Sequence, residues 1–145
     1  MKFETRRFGE IVIKEDQTYH FERGIPGFEH DRQFMFVTTE ELEPFAHMQS
    51  LEDGELAFIV TDPFVFFPNY EFNLPESVMN ELQISSEEHV SIRVIVSING
   101  ELEQATANLI APIIMNTNKR LGKQVILTAA SYSTRQRLYK SEEIE

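Results

Sequence analysis

Cysteine and tryptophan are both absent from the 145 residues. Without cysteine there are no disulfides, no thiolate metal ligands and no cysteine nucleophile. The absence fits a reducing compartment. No apolar run approaches the length a helix needs to cross a bilayer. The opening Met1-Lys-Phe-Glu-Thr-Arg-Arg7 lacks the apolar core of a secretory leader, so a cytoplasmic location is expected. Basic residues are nearly absent from the middle of the chain. Between Gln33 and Asn118 the one base is Arg93, set against fourteen acids, a net charge of −13. That stretch should repel a phosphate backbone, which needs cationic contacts. It should speed the encounter with a basic partner. From Pro112 onward the balance reverses, with six bases and three acids.

Catalytic patterns are missing too. His20, His30, His47 and His89 are widely spread, and no pair has the spacing of helical metal ligands. There is no nucleophile elbow, phosphate-binding glycine loop or dinucleotide fingerprint. Carboxylates are abundant, but an acid–base pair needs a cleft and two unequal environments. No catalytic residue, metal site or cofactor is expected.

What the chain does hold is phenylalanine, twelve of them, within an apolar content of 41%. That is enough for one folded domain spanning residues 1–145, with about 129–145 as a polar, partly flexible tail. The most unusual stretch is Asp62-Pro-Phe-Val-Phe-Phe-Pro-Asn-Tyr-Glu-Phe72. Five of its eleven residues are aromatic and two are proline. A central strand excludes proline, which cannot donate to the ladder. A plain loop would not carry five aromatics. The stretch reads as a stiff aromatic elbow pinned on the core, displaying Asn69, Glu71 and Tyr70. The alternative is a core-packing turn with no binding role.

Around the elbow the chain reads as many short strands. Lys2 to Ile13 is a hairpin turning near Phe8-Gly9, and Tyr19–Phe21 is a short strand. Gly24-Ile-Pro-Gly27 makes a tight turn, with Ile25 and Phe28 free to plug onto the core. Strands follow at Gln33–Thr38, Phe45–Leu51 and Leu56–Thr61, the last two joined by the hairpin signal Asp53-Gly54. Asn73-Leu-Pro-Glu76 predicts a capped helix running to about Leu82 and burying Val78 and Leu82. Val90–Ile98 alternates as a strand, with Ile95 out of phase. Asn99-Gly100 then predicts a tight hairpin. Its return runs through Leu102, Ala105 and Ala107, or makes a helical turn over Glu101–Ala107. Asn108–Asn116 reads as an extended segment at a barrel edge or corner. Gln124–Thr128 is a final strand. The fold class is all-β, a barrel or sandwich of short strands with one short helix.

Several stretches in this order carry a family resemblance. They are Thr5-Arg-Arg-Phe-Gly9, Gly24-Ile-Pro-Gly-Phe28, Met48-Gln-Ser50, and Asp62-Pro-Phe64 with Phe67-Pro-Asn-Tyr70. Asn108-Leu-Ile-Ala-Pro-Ile113 and Leu121-Gly-Lys-Gln-Val-Ile-Leu127 complete the set. Together they resemble the FliW family of bacterial flagellar assembly factors, from about Phe3 to Arg137. Met48 departs from the Leu expected there, a conservative apolar exchange. The resemblance implies a small β-barrel-like domain without enzymatic activity. It implies two partners: CsrA, a basic RNA-binding translational repressor, and flagellin, which competes for the same regulator. It implies no direct contact with nucleic acid or membrane.

On that footing Phe66, Asn69, Tyr70, Glu71, Asn73 and Glu76 are the candidate CsrA surface. The aromatics would supply desolvated anchors and the acids would steer. Leu109, Ile110, Ile113 and Met115 are the candidate strip for flagellin, whose helical ends would need an apolar groove. Two other readings stay open: a small-molecule-binding β-barrel with a closed cavity, and a carboxylate-based hydrolase.

Overall fold

A computed structural model describes residues 1–128 and 131–139. Its elements in chain order begin with strands β1 (Lys2–Thr5), β2 (Gly9–Val12), β3 (Thr18–His20), β4 (Gln33–Val37), β5 (Phe45–Ser50) and β6 (Ala57–Thr61). Two short helices follow, α1 (Pro63–Phe66) and α2 (Glu76–Glu81). The remaining strands are β7 (Val90–Ser97), β8 (Thr106–Ala107), β9 (Ile113–Asn116), β10 (Leu121–Gln124) and β11 (Gln136–Arg137). No helix among the described residues is long and apolar enough to cross a membrane.

Seven strands close a ring, in the order β7-β6-β5-β4-β3-β10-β9 and back to β7. Closure removes the exposed edges that would otherwise invite aggregation. Every pairing in the ring is antiparallel except β3–β10, which is parallel. β8 and β11 extend the sheet outward from β7, and the β1–β2 hairpin forms a separate ribbon.

The interior of the ring is filled by side chains. Phe21, Ile25, Phe34, Met48, Val60, Ile113 and Met115 form one buried cluster. Each contributes roughly 1.5–3 kcal/mol by leaving water. The inner layer has no room to spare: a Cβ on Gly122 would lie 2.5 Å from the Phe21 ring. Met48 is fully buried in this layer, where a flexible thioether adapts to the space available.

β7 is covered on both sides, which explains Ile95. That residue stands opposite Val60 and packs into the barrel. Val94 and Val96 face outward, under a second cluster with Phe45, Tyr70, Leu109 and Leu138. Val90 and Ile92 pack outward against a third, built from Val78, Leu82, Ile114, Val125 and Leu127. A strand buried on both faces needs no strict polar alternation.

Several expectations need correction. Among the described residues there are two short α-helices, not one, because the elbow itself contains a helical turn. Asn73 does not cap α2; the cap position is Pro75. The residue before a proline is held extended, so the helix cannot start earlier. Val78 and Leu82 are buried as expected. Asn99-Gly100 does not close a two-residue hairpin. β7 ends at Ser97, opposite Thr106, and a 3-10 turn at Leu102–Gln104 lies between. The last ring strand is Leu121–Gln124, and beyond it Val125 and Leu127 donate to the Pro112 and Ile110 carbonyls without forming a further strand. Phe28 is 42% exposed, edge-on to Phe58, and only Ile25 plugs the glycine turn.

Within the stretch expected to be a tail, residues 131–139 are anchored. β11 pairs with β8, Leu138 is buried, and Tyr132 and Tyr139 pack on the core. The rest of that stretch, residues 129, 130 and 140–145, lies outside the described residues.

Candidate partner-binding surface

The elbow is built from local signals. Asp62 caps α1, its Oδ1 accepting from the Phe64 N–H at 2.9 Å, and Pro63 opens the turn. One helical turn sends Pro63 and Phe66 inward and Phe64 and Val65 outward. Phe66 stacks on Phe45 at 5.9 Å and meets Tyr139 edge-on at 5.5 Å. It is half-buried, a platform side chain rather than a protruding one.

Tyr70 corrects the sequence reading, which had it displayed. It is 4% exposed, and its hydroxyl donates to the Leu109 carbonyl at 2.7 Å. A ring lying 4.8 Å from that of Tyr132 and 5.4 Å from that of Phe72 belongs to the core. Burial, and then Tyr132, push its hydroxyl far above the usual phenol range, so it stays a neutral donor.

The polar candidates do face solvent: Asn69, Glu71, Asn73 and Glu76 are all exposed. Glu71 is held by its main chain. Its N–H donates to the Tyr132 hydroxyl at 3.1 Å, and that hydroxyl donates to the Glu71 carbonyl at 2.9 Å. Tyr132 also separates two shallow grooves. One, of about 370 Å³, includes Phe66, Asn69, Tyr70 and Leu109. The other, of about 470 Å³, includes Glu71, Asn73 and Ile126.

The sequence reading missed the most exposed apolar groups here. Phe64 is 40% exposed, Val65 58% and Ile126 62%. The Asp62-Pro63 pair was the available signal, since a cap followed by proline starts a helical turn and sets which aromatics turn out. The proposed apolar strip fares worse. Leu109, Ile113 and Met115 are buried, and Ile110 is half-buried against the α2 cluster. Ile113 and Met115 point into the barrel, so no helix can dock on them without opening the ring.

The acids do not gather on one face. Antiparallel strands return successive loops to opposite ends of a sheet. Glu40, Glu41, Glu43, Asp62, Glu87 and Glu88 lie at the end where β5 and β7 begin. Glu52, Asp53, Glu55, Glu101 and Glu103 lie at the other end. Lys119 and Arg120, in the β9–β10 turn, share the first end. Glu71, Glu76 and Glu81 belong to the covering segment between them. Glu81 is neutralised by Lys123 at 2.8 Å and Arg23 at 3.1 Å, and Lys123 above all holds its carboxyl below the usual range. Among the described residues no ion pair involves Glu71 or Glu76.

Comparison with known proteins decides the family. The sequence model of the FliW protein family matches residues 2–138. The chain belongs to the FliW family. Flagellar assembly factor FliW of Bacillus licheniformis is 46% identical over 136 residues, covering 94% of this chain and 95% of that protein. The Bacillus subtilis protein of the same name is 43% identical, covering 93% and 94%. A crystal structure of the flagellar assembly factor FliW superposes with a TM-score of 0.92 at 41% identity, covering 98% of this chain and 99% of that one. The FliW fold is therefore the mainly-β barrel described above. These relatives are named flagellar assembly factors, and membership of that family takes the place of the hydrolase reading.

Proposed function

We propose that this chain is a cytoplasmic protein-binding regulator. It holds and antagonises the translational repressor CsrA, and is itself sequestered by flagellin. Flagellin synthesis is thereby coupled to flagellar assembly. Membership of a family of flagellar assembly factors supports the reading. The observation that carries it furthest is the Tyr132 clamp on the Glu71 main chain, which presents an acid with no ionic partner among the described residues, on the same elbow that exposes Phe64 and Val65. A rigid apolar anchor loses little entropy on binding, and a nearby acid steers a basic partner. The charge argument rests on Glu71 and Glu76, not on the total for the middle of the chain.

Co-elution on a sizing column tests the reading. Pure protein should form a complex with CsrA and one with flagellin, and added flagellin should displace CsrA. No complex with either partner would sink the proposal. Glu71→Lys with Glu76→Lys should weaken CsrA binding by about tenfold at low ionic strength, and by less as salt screens the charges. Unchanged affinity at low salt would show that CsrA binds elsewhere.

A further inference from the structure

Arg93, the lone base of the acidic middle, lies on the inner face of the barrel. It stands opposite Ile113 in the β7–β9 ladder, and Ser91 stands opposite Met115. Residues paired directly across a ladder project to the same side. Ile113 and Met115 project into the ring, so Arg93 and Ser91 do as well. Buried Phe21, Phe34, Met48 and Ile113 fill the ring, and at the end carrying Ser91 and Arg93 lies a cavity of about 490 Å³. That volume falls within the range of small-molecule sites, roughly 300–1,000 Å³.

The walls combine apolar and polar groups. Tyr19, Phe36, Val60 and Met115 supply apolar surface, and Ser91 and Thr38 supply hydroxyls. Arg93 Nη1 donates to the carbonyl of its neighbour Ile92 at 2.8 Å. No carboxylate pairs with Arg93 among the described residues. A guanidinium has five donors in a fork that matches a carboxylate. Arg93 is half-buried in the wall of the cavity, so the rest of its fork is available to an anion that enters. Burial holds the Tyr19 hydroxyl above the usual phenol range against the pull of Arg120 and Arg93, so it remains a neutral donor near the guanidinium.

We propose that the barrel mouth binds a small monocarboxylate with an apolar body, its carboxylate taken by Arg93 and Ser91 and its body laid against Tyr19, Phe36 and Met115. The rim explains the single charge. Asp16, Glu43 and Asp62 line the entrance and repel nucleotides and other polyanions, whereas one carboxylate can pass down to Arg93. The mouth borrows Asp62 and Val65 from the first turn of the elbow, but its ligand-holding groups Arg93, Ser91 and Tyr19 stand on β7 and β3, and the inference does not rest on the CsrA and flagellin reading. Failure of either therefore leaves the other standing.

The test is a two-dimensional NMR titration of the isotopically labelled full chain with hexanoate, and in parallel with hexanol. Hexanoate should give saturable shifts confined to residues around Tyr19, Ser91, Arg93 and Met115. Hexanol, of similar shape without the charge, should bind at least about tenfold more weakly. Arg93→Gln should remove the preference for hexanoate, and Arg93→Lys should retain part of it. Three results would overturn the proposal: equal response to the two ligands, no saturable shift at the mouth, or unchanged hexanoate binding in Arg93→Gln. The ligand pair on the unaltered protein decides the matter even if the glutamine variant does not fold.

Discussion

The two faces of β7 carry opposite kinds of surface. Outward, Val94 and Val96 support the elbow, a convex platform of aromatics with Phe64, Val65 and Glu71 exposed on it. Inward, Ser91 and Arg93 stand in a concave mouth with a cation at its floor and acids at its rim. The outer face suits a macromolecule, because its exposed groups are spread over a rigid surface. The inner face suits a small ligand, because its polar groups converge. One strand can serve both because strand side chains alternate, so neighbours along the chain are sorted into separate environments.

The sharpest way to break that comparison is to truncate one phenylalanine on each side. Phe34→Ala in the barrel interior should cost about 3–5 kcal/mol and lower the urea midpoint steeply. Phe64→Ala on the elbow should cost no more than about 1 kcal/mol, yet weaken CsrA binding. Comparable stability losses would mean that Phe64 is a core residue, not part of a docking surface. A smaller effect is expected from Tyr70→Phe, which leaves the Leu109 carbonyl without its donor. The loss should be about 1–3 kcal/mol in denaturant melts, with CsrA affinity nearly unchanged. A large affinity loss at unchanged stability would restore Tyr70 to the binding surface.

The smallest effect concerns acid. His47 is buried beside Phe8, with Nδ1 lacking a hydrogen-bond partner. Burial, and then Arg7, hold its pKa below the usual 6.5. The unfolded chain therefore takes up the proton first as pH falls. The contribution of neutral His47 is intact above about pH 6.5 and is lost as pH drops through the depressed folded value. The melting temperature should decline between about pH 7 and pH 5, and His47→Phe should flatten part of that decline. An identical slope in the variant would place the sensitivity elsewhere.

Much of the fold was legible because its signals are short-range. The Phe8-Gly9 turn, the alternation in Val90–Ser97 and the Val78–Leu82 spacing each act within a few residues. Asp53-Gly54 marks the β5–β6 hairpin but sits in a longer loop beyond the Gln49–Ala57 pair. Even the displaced features follow local rules once the neighbours are weighed, as when Pro75 overrides Asn73 at the start of α2. The site was less legible. Asn69, Glu71, Asn73 and Glu76 face solvent as read, but Tyr70, Leu109, Ile113 and Met115 do not.

The amino-acid order by itself determined the strand-rich class, the stiff aromatic elbow, the missing catalytic chemistry and the sum of charge. Strand pairing decided the rest. Ring closure of β7 onto β9 turned Ile113 and Met115 into the core and aimed Arg93 at the barrel mouth, while the antiparallel order of β4 to β7 split the acids between two ends. The reason is register. A side chain faces in or out according to which distant strand pairs with its own, and a one-residue slip in that pairing would reverse every assignment.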